Sequence, residues 1–336
     1  MNPRRINPAL AAVVCAAFAL FSHAPAQAAT RIAVLPAPGP GAGTGVVFVD
    51  ALQQASPWIG VGDPVLELDA EGNLLGLRPG QSAERVVFTS ERYPAGNYSL
   101  EWTGRATFAV SGGELLPTGR PNALILRVSG ATGSGLLLRV TSTDPVTPVR
   151  NLHLYLPGYP SGAPKPVFTP ELLGAMNGAD IVRVNARNDG PTAADEATQN
   201  VIVLANVTGA NPWISVPAGA TNEEIAGQAR RVLRTLDPSL HPVLDYGSRD
   251  MLKPHTPLNA WAVAGARALH IGVSDPQLAA RLFYERRSAE ALEIFRETFG
   301  AQAGRIVPAG SAEMLRLHRA AGSRGELGSM TQMREW

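Results

Sequence analysis

The sequence predicts an all-β domain joined to an α/β domain: an N-terminal β-sandwich followed by an incomplete TIM-barrel-like (β/α) domain. Three observations predict this fold class. Short apolar runs separated by turns fill residues 46–147. Beyond them, apolar runs alternate with helical stretches, and too few residues follow for a closed barrel.

The first segment, residues 1–28, has the three parts of a secretory signal peptide. Arg4 and Arg5 precede an apolar run over 9–21, and the small-residue site 26–28 follows Pro25. The run is shorter than the roughly 20 residues that a membrane-spanning helix needs. We therefore expect cleavage near Ala28 and a secreted or periplasmic protein without a membrane span.

Composition excludes several classes of function. The single cysteine, Cys15, lies in the leader, so the exported chain has no disulfide or thiol chemistry. Without Arg4 and Arg5 the formal net charge of +1 becomes −1, and no basic stripe suggests nucleic-acid binding. The remaining histidines lack metal-ligand spacing, and no glycine-rich run forms a phosphate cradle. We expect no metal and no cofactor.

Residues 30–45 form the predicted linker, because three prolines and four glycines punctuate them. The β-sandwich is predicted over 46–147, where no helix of ordinary length fits. Its strand candidates are residues 46–49, 65–68, 86–88, 98–102, 107–110, 124–128 and 136–140.

The partial barrel is predicted over 148–320, because strand and helix alternation indicates a parallel sheet. Its strand candidates are residues 151–156, 180–185, 212–216, 242–246 and 305–307. Its helix candidates are residues 169–176, 194–207, 222–235, 258–270 and 276–299.

Beyond the fifth strand we expect two further features. Residues 321–336 have no apolar period and are predicted to form a flexible tail. The fifth strand should be a sheet edge, which residues 311–320 cover as a helix with Met314, Leu315 and Leu317 inward. Failing that cover, the open edge predicts self-association.

Several segments together resemble a family of secreted bacterial proteins often labelled cellulose-binding. The matching segments are 48–50, 57–59, 93–96, 149–158, 168–173, 211–217, 236–240 and 245–248. The resemblance covers about residues 46–310 and implies a β-sandwich before a (β/α) barrel like those of retaining glycoside hydrolases. In such hydrolases an Asn-Glu pair ends the fourth strand, and the nucleophilic Glu lies near the end of the seventh.

The chain departs from that pattern at both catalytic positions. Where the family reads like Glu-Tyr-Ser-Asn-Glu, this sequence reads Asp245-Tyr246-Gly247-Ser248-Arg249. The acid/base position therefore falls on Arg249, which stays protonated and cannot cycle a proton. The seventh strand has no place in the chain, since a closed barrel needs roughly 250 residues.

The remaining candidate residues lie at the strand ends, where barrel chemistry takes place. Asp245 and Asp250 are weak catalytic candidates, because each is also a typical strand-end acceptor or helix cap. The candidate sugar-binding residues are Arg183, Asn185, Arg187, Trp213, Asp245, Ser248 and Arg249. Trp58 and Trp102 offer further flat faces for a sugar ring, although a strand tryptophan is more often core.

These observations leave three hypotheses. The first is a non-catalytic, glycan-binding protein derived from a hydrolase-like scaffold, with a polysaccharide or oligosaccharide as partner. The second is an active glycosidase that uses Asp245 or Asp250. The third is a truncated, non-functional gene product.

Overall fold

The computed structural model describes residues 31–35, 46–69, 72–89, 93–130, 135–185, 191–247 and 252–309, without the side chains of 191–194. The described chain contains both helices and strands, and the strands form several sheets, so the protein mixes α and β structure as the sequence predicts. None of the helices in these ranges is long and apolar enough to cross a membrane.

The elements follow one another along the chain. The strands are β1 (Ile32–Leu35), β2 (Ile59–Val61), β3 (Glu67–Leu68), β4 (Leu74–Gly76), β5 (Ser82–Phe88), β6 (Gly96–Thr103), β7 (Ala106–Ser111), β8 (Glu114–Pro117), β9 (Ala123–Val128), β10 (Leu136–Thr143), β11 (Arg150–Tyr155), β12 (Ile181–Val184), β13 (Asn211–Val216), β14 (Val243–Tyr246) and β15 (Val307–Pro308). The helices are α1 (Pro170–Met176), α2 (Pro191–Thr208), α3 (Asn222–Thr235), α4 (Pro257–Ala268) and α5 (Pro276–Phe299).

One sheet is parallel, with five strands in the order β1-β12-β13-β14-β15. Every neighbouring pair in it runs parallel. Strand β15 is an edge, as predicted for the fifth strand, and β1 is the other edge. We call this sheet with helices α1 to α5 the parallel unit. The predicted cover of β15 by residues 311–320, like the tail, lies outside the described residues.

The helix predictions are confirmed to within a few residues, because local signals define these helices. Helix α3 begins with the expected capping box: Thr221 accepts a hydrogen bond from the Glu224 amide at 3.2 Å. The Glu224 carboxylate in turn accepts one from the Thr221 amide at 2.7 Å. This reciprocal pair satisfies two amides that have no partner within the helix.

The prediction that residues 30–45 are a linker is wrong for 32–35. Strand β1 pairs in parallel with β12, from Ile32 opposite Ile181 to Leu35 opposite Val184. The run Ile-Ala-Val-Leu is a fully apolar strand, typical of a parallel sheet. The prolines and glycines that follow it conceal this signal. The first strand of the parallel sheet thus precedes the antiparallel strands in the chain.

The prediction that residues 151–156 open the parallel sheet is also wrong, and so is the domain boundary at 147/148. Strand β11 pairs antiparallel with β6, with Leu154 opposite Leu100. In β11 the buried Leu154 lies between the partly exposed His153 and Tyr155. That alternation is typical of an antiparallel strand with one solvated face.

Two four-stranded antiparallel sheets lie between β1 and α1 in the described part of the chain. Their orders are β2-β5-β10-β7 and β11-β6-β9-β8, and β3 pairs with β4 separately. Val87 and Leu138 of the first sheet share one buried apolar cluster with Tyr98 and Leu126 of the second. We call strands β2 to β11 the antiparallel unit. Within its described residues the only helix is the 3₁₀ turn Ala51–Gln53, as expected.

The two units are joined where the chain enters and leaves the antiparallel unit. The Val49 amide donates to the Val167 carbonyl and the Thr169 amide to the Val47 carbonyl, each at 3.0 Å. Between these bonds the rings of Phe48 and Phe168 stack with centroids 5.5 Å apart. Both rings are buried in the core of the parallel unit. This junction therefore belongs to both units.

We expect Phe168→Ala to lower the free energy of unfolding by about 3–5 kcal/mol, because it empties a buried ring site at the junction. Phe168→Leu should cost less than about 1.5 kcal/mol, since it retains most of the apolar volume. Urea unfolding of the purified chain measures both. Val146→Ala is the control: this side chain is 86% exposed, so its loss should stay within about 0.5 kcal/mol. A Phe168→Ala loss as small as that of the control would contradict the junction's role.

Candidate functional site

The parallel sheet has two unlike faces. On one face lie Val182, Val184, Ile214 and Leu244, which form a single buried cluster with residues from helices α1 to α5. On the other face Ile181, Val243 and Val307 form a small cluster to which the described helices contribute no residue. Side chains alternate between the faces of a strand, so Arg183, Trp213 and Asp245 lie on this second face, where each keeps part of its surface accessible.

Five side chains on this second face keep part of their surface accessible at the carboxyl-terminal half of the strands. They are Arg183, Asn185, Trp213, Ser215 and Asp245, and we call them the polar strip. The register places Arg183 opposite Trp213 and Ser215 opposite Asp245. Asn185 follows Arg183 by two residues and so shares its face. The carboxyl ends of parallel strands are where such sheets bind ligands.

Arg183 and Trp213 form the centre of the strip. The Arg183 guanidinium carbon lies 5.0 Å from the centroid of the Trp213 ring, a cation–π contact. The Arg183 Nε and the Trp213 Nε1 are both buried and have no hydrogen-bond partner. Two buried N–H donors without an acceptor are unusual, because such a group loses its bond to water without replacement.

Four of the seven predicted sugar-binding residues fall in the strip: Arg183, Asn185, Trp213 and Asp245. The other three, Arg187, Ser248 and Arg249, lie outside the described residues, as does the weak catalytic candidate Asp250. Asp245 is the only acidic residue within the five parallel strands. Asp245 takes part in an interaction of its own.

The sequence predictions missed Ser215. It follows Trp213 by two residues on the same strand, and its neighbours Ile214 and Val216 are buried on the opposite face. Strand alternation through residues 211–216 is the signal that identifies it.

The two other tryptophans considered as sugar platforms belong to the antiparallel unit. Trp102 packs edge-on against Phe108, with ring centroids 4.7 Å apart, and joins the buried apolar clusters. Trp58 packs partly buried against the cluster that contains Leu74 and Val140. Both therefore stabilise the antiparallel unit, which is the more common role of a strand tryptophan.

A second group of ionisable side chains lies on β6, on β11, in the segment after β11 and at Asp50, which precedes the 3₁₀ turn Ala51–Gln53. The buried Asp50 carboxylate contacts His153 Nδ1 at 2.8 Å and accepts the Leu154 amide at 2.9 Å. Lys165 Nζ lies 3.5 Å from Glu101 Oε1. The same ammonium lies 3.9 Å from the centroid of the Tyr155 ring. Because these charged groups are paired with one another, we interpret the network as one that stabilises the fold.

Burial and the nearby carboxylates raise the pKa of Tyr155 to about 12. Tyr155 therefore stays a neutral phenol over the physiological range. The hydrogen bond that the His153 ring donates to the Asp50 carboxylate raises the pKa of His153 above its ordinary value. By contrast, burial lowers the pKa of His241, which lies in the parallel unit.

No metal site is apparent in the described part of the chain, where no three or more His, Cys, Asp or Glu residues are grouped to hold an ion. No protein-family profile, curated protein or solved structure matches the chain. The polar strip therefore has to be interpreted from its own chemistry.

We expect the His153–Asp50 contact to stabilise the fold more at acidic pH than at alkaline pH. Because the folded pKa of His153 is raised, its stabilisation is complete below the unfolded value of 6.5 and is lost as pH rises through the folded pKa. The unfolding free energy of the parent minus that of His153→Gln should thus be larger at about pH 5.5 than at about pH 9.

His241→Gln is the matched control, with the opposite sign. Its lowered pKa means that the folded state favours neutral imidazole, so the contribution of His241 falls as pH drops. Urea unfolding at both pH values measures the two differences. A His153 difference that does not change with pH would contradict the assigned contact.

Proposed function

We propose that this protein is an exported glycan-binding protein that holds a sugar chain against the polar strip without cleaving it. In this proposal the two antiparallel sheets are a β-sandwich, and the parallel unit is part of a glycoside-hydrolase-like (β/α) barrel. Residues 1–28 are its signal peptide. The observation that carries the proposal is Trp213, a partly exposed aromatic ring on the helix-free face of a parallel sheet.

An indole suits sugar binding because it combines a broad apolar surface with a polar N–H. The carbon–hydrogen face of a sugar ring packs on such a surface, while its hydroxyls need hydrogen-bonding groups around the rim. Asn185 and Ser215 supply groups that both donate and accept. Asn185 directly follows β12, the strand next to that of Trp213, and Ser215 lies on the same strand as Trp213. All three side chains share one face of the sheet.

Within the described strands of the parallel sheet, the lack of a second carboxylate favours binding over hydrolysis. A retaining glycosidase holds two carboxyl groups about 5–5.5 Å apart across the scissile bond. Within the described parallel strands Asp245 stands alone, and it is already engaged in an interaction. A single carboxylate can accept hydrogen bonds from sugar hydroxyls, but it cannot serve as both acid/base and nucleophile.

Asp245 also keeps hydrolysis open as a second candidate function. It lies at the carboxyl end of β14, which is where barrel hydrolases place a catalytic acid. A panel of aryl glycosides separates the two functions: turnover that Asp245→Asn abolishes would favour the glycosidase. We expect the parent chain to turn over these glycosides no faster than Asp245→Asn does.

We expect Trp213→Ala to weaken glycan binding at least about tenfold, because it removes the stacking surface at the centre of the strip. A glycan array followed by titration calorimetry of the best ligand measures the loss. Trp261→Ala is the matched control, since Trp261 is 39% exposed on α4, on the helical side of the sheet. The control should bind normally.

Circular dichroism and a thermal melt identify variants that fail to fold. Equal weakening by both folded tryptophan variants would argue against the polar strip as the site. Binding that survives unchanged in folded Trp213→Ala would have the same consequence.

A further inference from the structure

We infer that the ligand of the polar strip is an acidic sugar, whose carboxylate binds to the Arg183 guanidinium and the Trp213 indole N–H. This inference rests on the proposed function and specifies its substrate class. It depends on the two buried donors at the centre of the strip and on the charge that one of them carries.

The position between Arg183 and Trp213 has more hydrogen-bond donors than acceptors. Arg183 and Trp213 lie opposite each other on adjacent strands, so their N–H groups are neighbours on one face. A guanidinium and an indole N–H can only donate hydrogen bonds. Since Arg183 Nε and Trp213 Nε1 have no partner, the position lacks acceptors.

Arg183 also brings a positive charge to this position. Arginine stays protonated, and the Arg183 Nε is withdrawn from water although the side chain keeps part of its surface accessible, so an opposite charge beside it would be stabilising. None of the ion pairs formed among the described residues involves Arg183. The indole face supplies a cation–π contact, which compensates in part but does not satisfy the N–H donors.

These donors and this charge determine the choice of ligand. A neutral sugar hydroxyl would accept hydrogen bonds but leave the positive charge unpaired. A carboxylate presents two coplanar oxygens that match the fork of a guanidinium, and such charge-assisted bonds are about twice as strong as neutral ones. The same carboxylate has lone pairs left for the indole N–H. A uronic acid fits this arrangement best.

Asp245 bears on the strength of this interaction. It lies on β14, two strands away from Arg183 and two residues further along, which places the two residues roughly 12 Å apart across the sheet. At that separation its charge repels an anionic ligand weakly, by roughly a factor of two in affinity at low salt. Asp245→Asn should therefore tighten binding of an acidic sugar by about twofold.

Because the two donor nitrogens are buried, the ligand must displace the Trp213 ring slightly to reach them. Binding of an acidic sugar should thus change the fluorescence of Trp213. Other tryptophans contribute background signal, so the ligand-dependent change should be absent in Trp213→Phe.

The experiment compares hexamers that differ in charge. Oligogalacturonate is the acidic probe, its methyl ester is the neutral probe of the same backbone, and cellohexaose is a neutral glucan. We expect the acid to bind at least about tenfold more tightly than the ester. Its affinity should also fall as salt rises from about 50 to 500 mM.

Arg183→Gln tests the residue and keeps a polar side chain. It should lose at least about tenfold in affinity for oligogalacturonate, while its weak binding of the ester is unchanged. The affinity of Arg183→Lys for oligogalacturonate should lie between those of the parent and Arg183→Gln, since lysine keeps the positive charge but lacks the planar fork of donors. Arg230→Gln, an exposed arginine on α3, is the control for the change in net charge and should bind like the parent.

The outcomes separate this inference from the proposed function. Equal affinity of the acid, the ester and cellohexaose would overturn the acidic ligand and leave glycan binding standing. Binding of none of the hexamers, nor of any glycan on an array, would overturn both. If a sulfated hexasaccharide binds more tightly than oligogalacturonate, the carboxylate assignment is wrong and the anionic group bound at this site is a sulfate. Loss of affinity for the acid and the ester alike in Arg183→Gln would indicate a packing role.

Discussion

The structure depends on the junction at which the antiparallel unit is inserted into the parallel unit. Strand β1 and helix α1 would ordinarily be joined by a short crossover, but ten antiparallel strands separate them among the described elements. The chain must therefore leave the parallel unit and return to it at one place. Residues 47–49 and 167–169 meet there through backbone hydrogen bonds and the stacked Phe48 and Phe168 rings. This contact holds the two ends of the insertion together, so that β1 and β12 can pair although they are far apart in the chain.

The insertion also sets the position of the candidate site. It begins after the carboxyl end of β1, the same edge of the sheet toward which Asn185, Ser215 and Asp245 lie. Connections at that edge of a parallel sheet are where function is usually placed, because they can vary without disturbing the core. The helices contribute by covering the opposite face, where Val182 and Ile214 are buried. The face with Arg183 and Trp213 is thereby left for a ligand.

The two groups of polar residues differ in a way that indicates their roles. Asp50, His153, Glu101 and Lys165 are paired with one another, so this network stabilises the path of the chain around β11. At the polar strip the Arg183 and Trp213 donors lack such partners. Trp102 Nε1 in the antiparallel unit also lacks a partner, but it lies in an apolar cluster. At the strip two such donors lie on opposed residues, one of them charged, which is the arrangement that an acceptor on a ligand would satisfy.

The sequence by itself determined the helices, most of the antiparallel strands and the alternation beyond residue 148. These follow from local signals: the capping box at Thr221, the apolar period of α5 and the turns between short runs. Four residues of the strip were also predicted, because alternation fixes which side chains of a strand share a face.

The tertiary structure decided which strands pair. Residues 32–35 are fully apolar and residues 151–156 alternate, patterns that favour a parallel and an antiparallel strand respectively, but neither pattern states which strand is the partner. Pairing is a contact between residues far apart in sequence, as Ile32 and Ile181 are. Only the packed chain, in which each strand buries its apolar face against a particular neighbour, selects the partner.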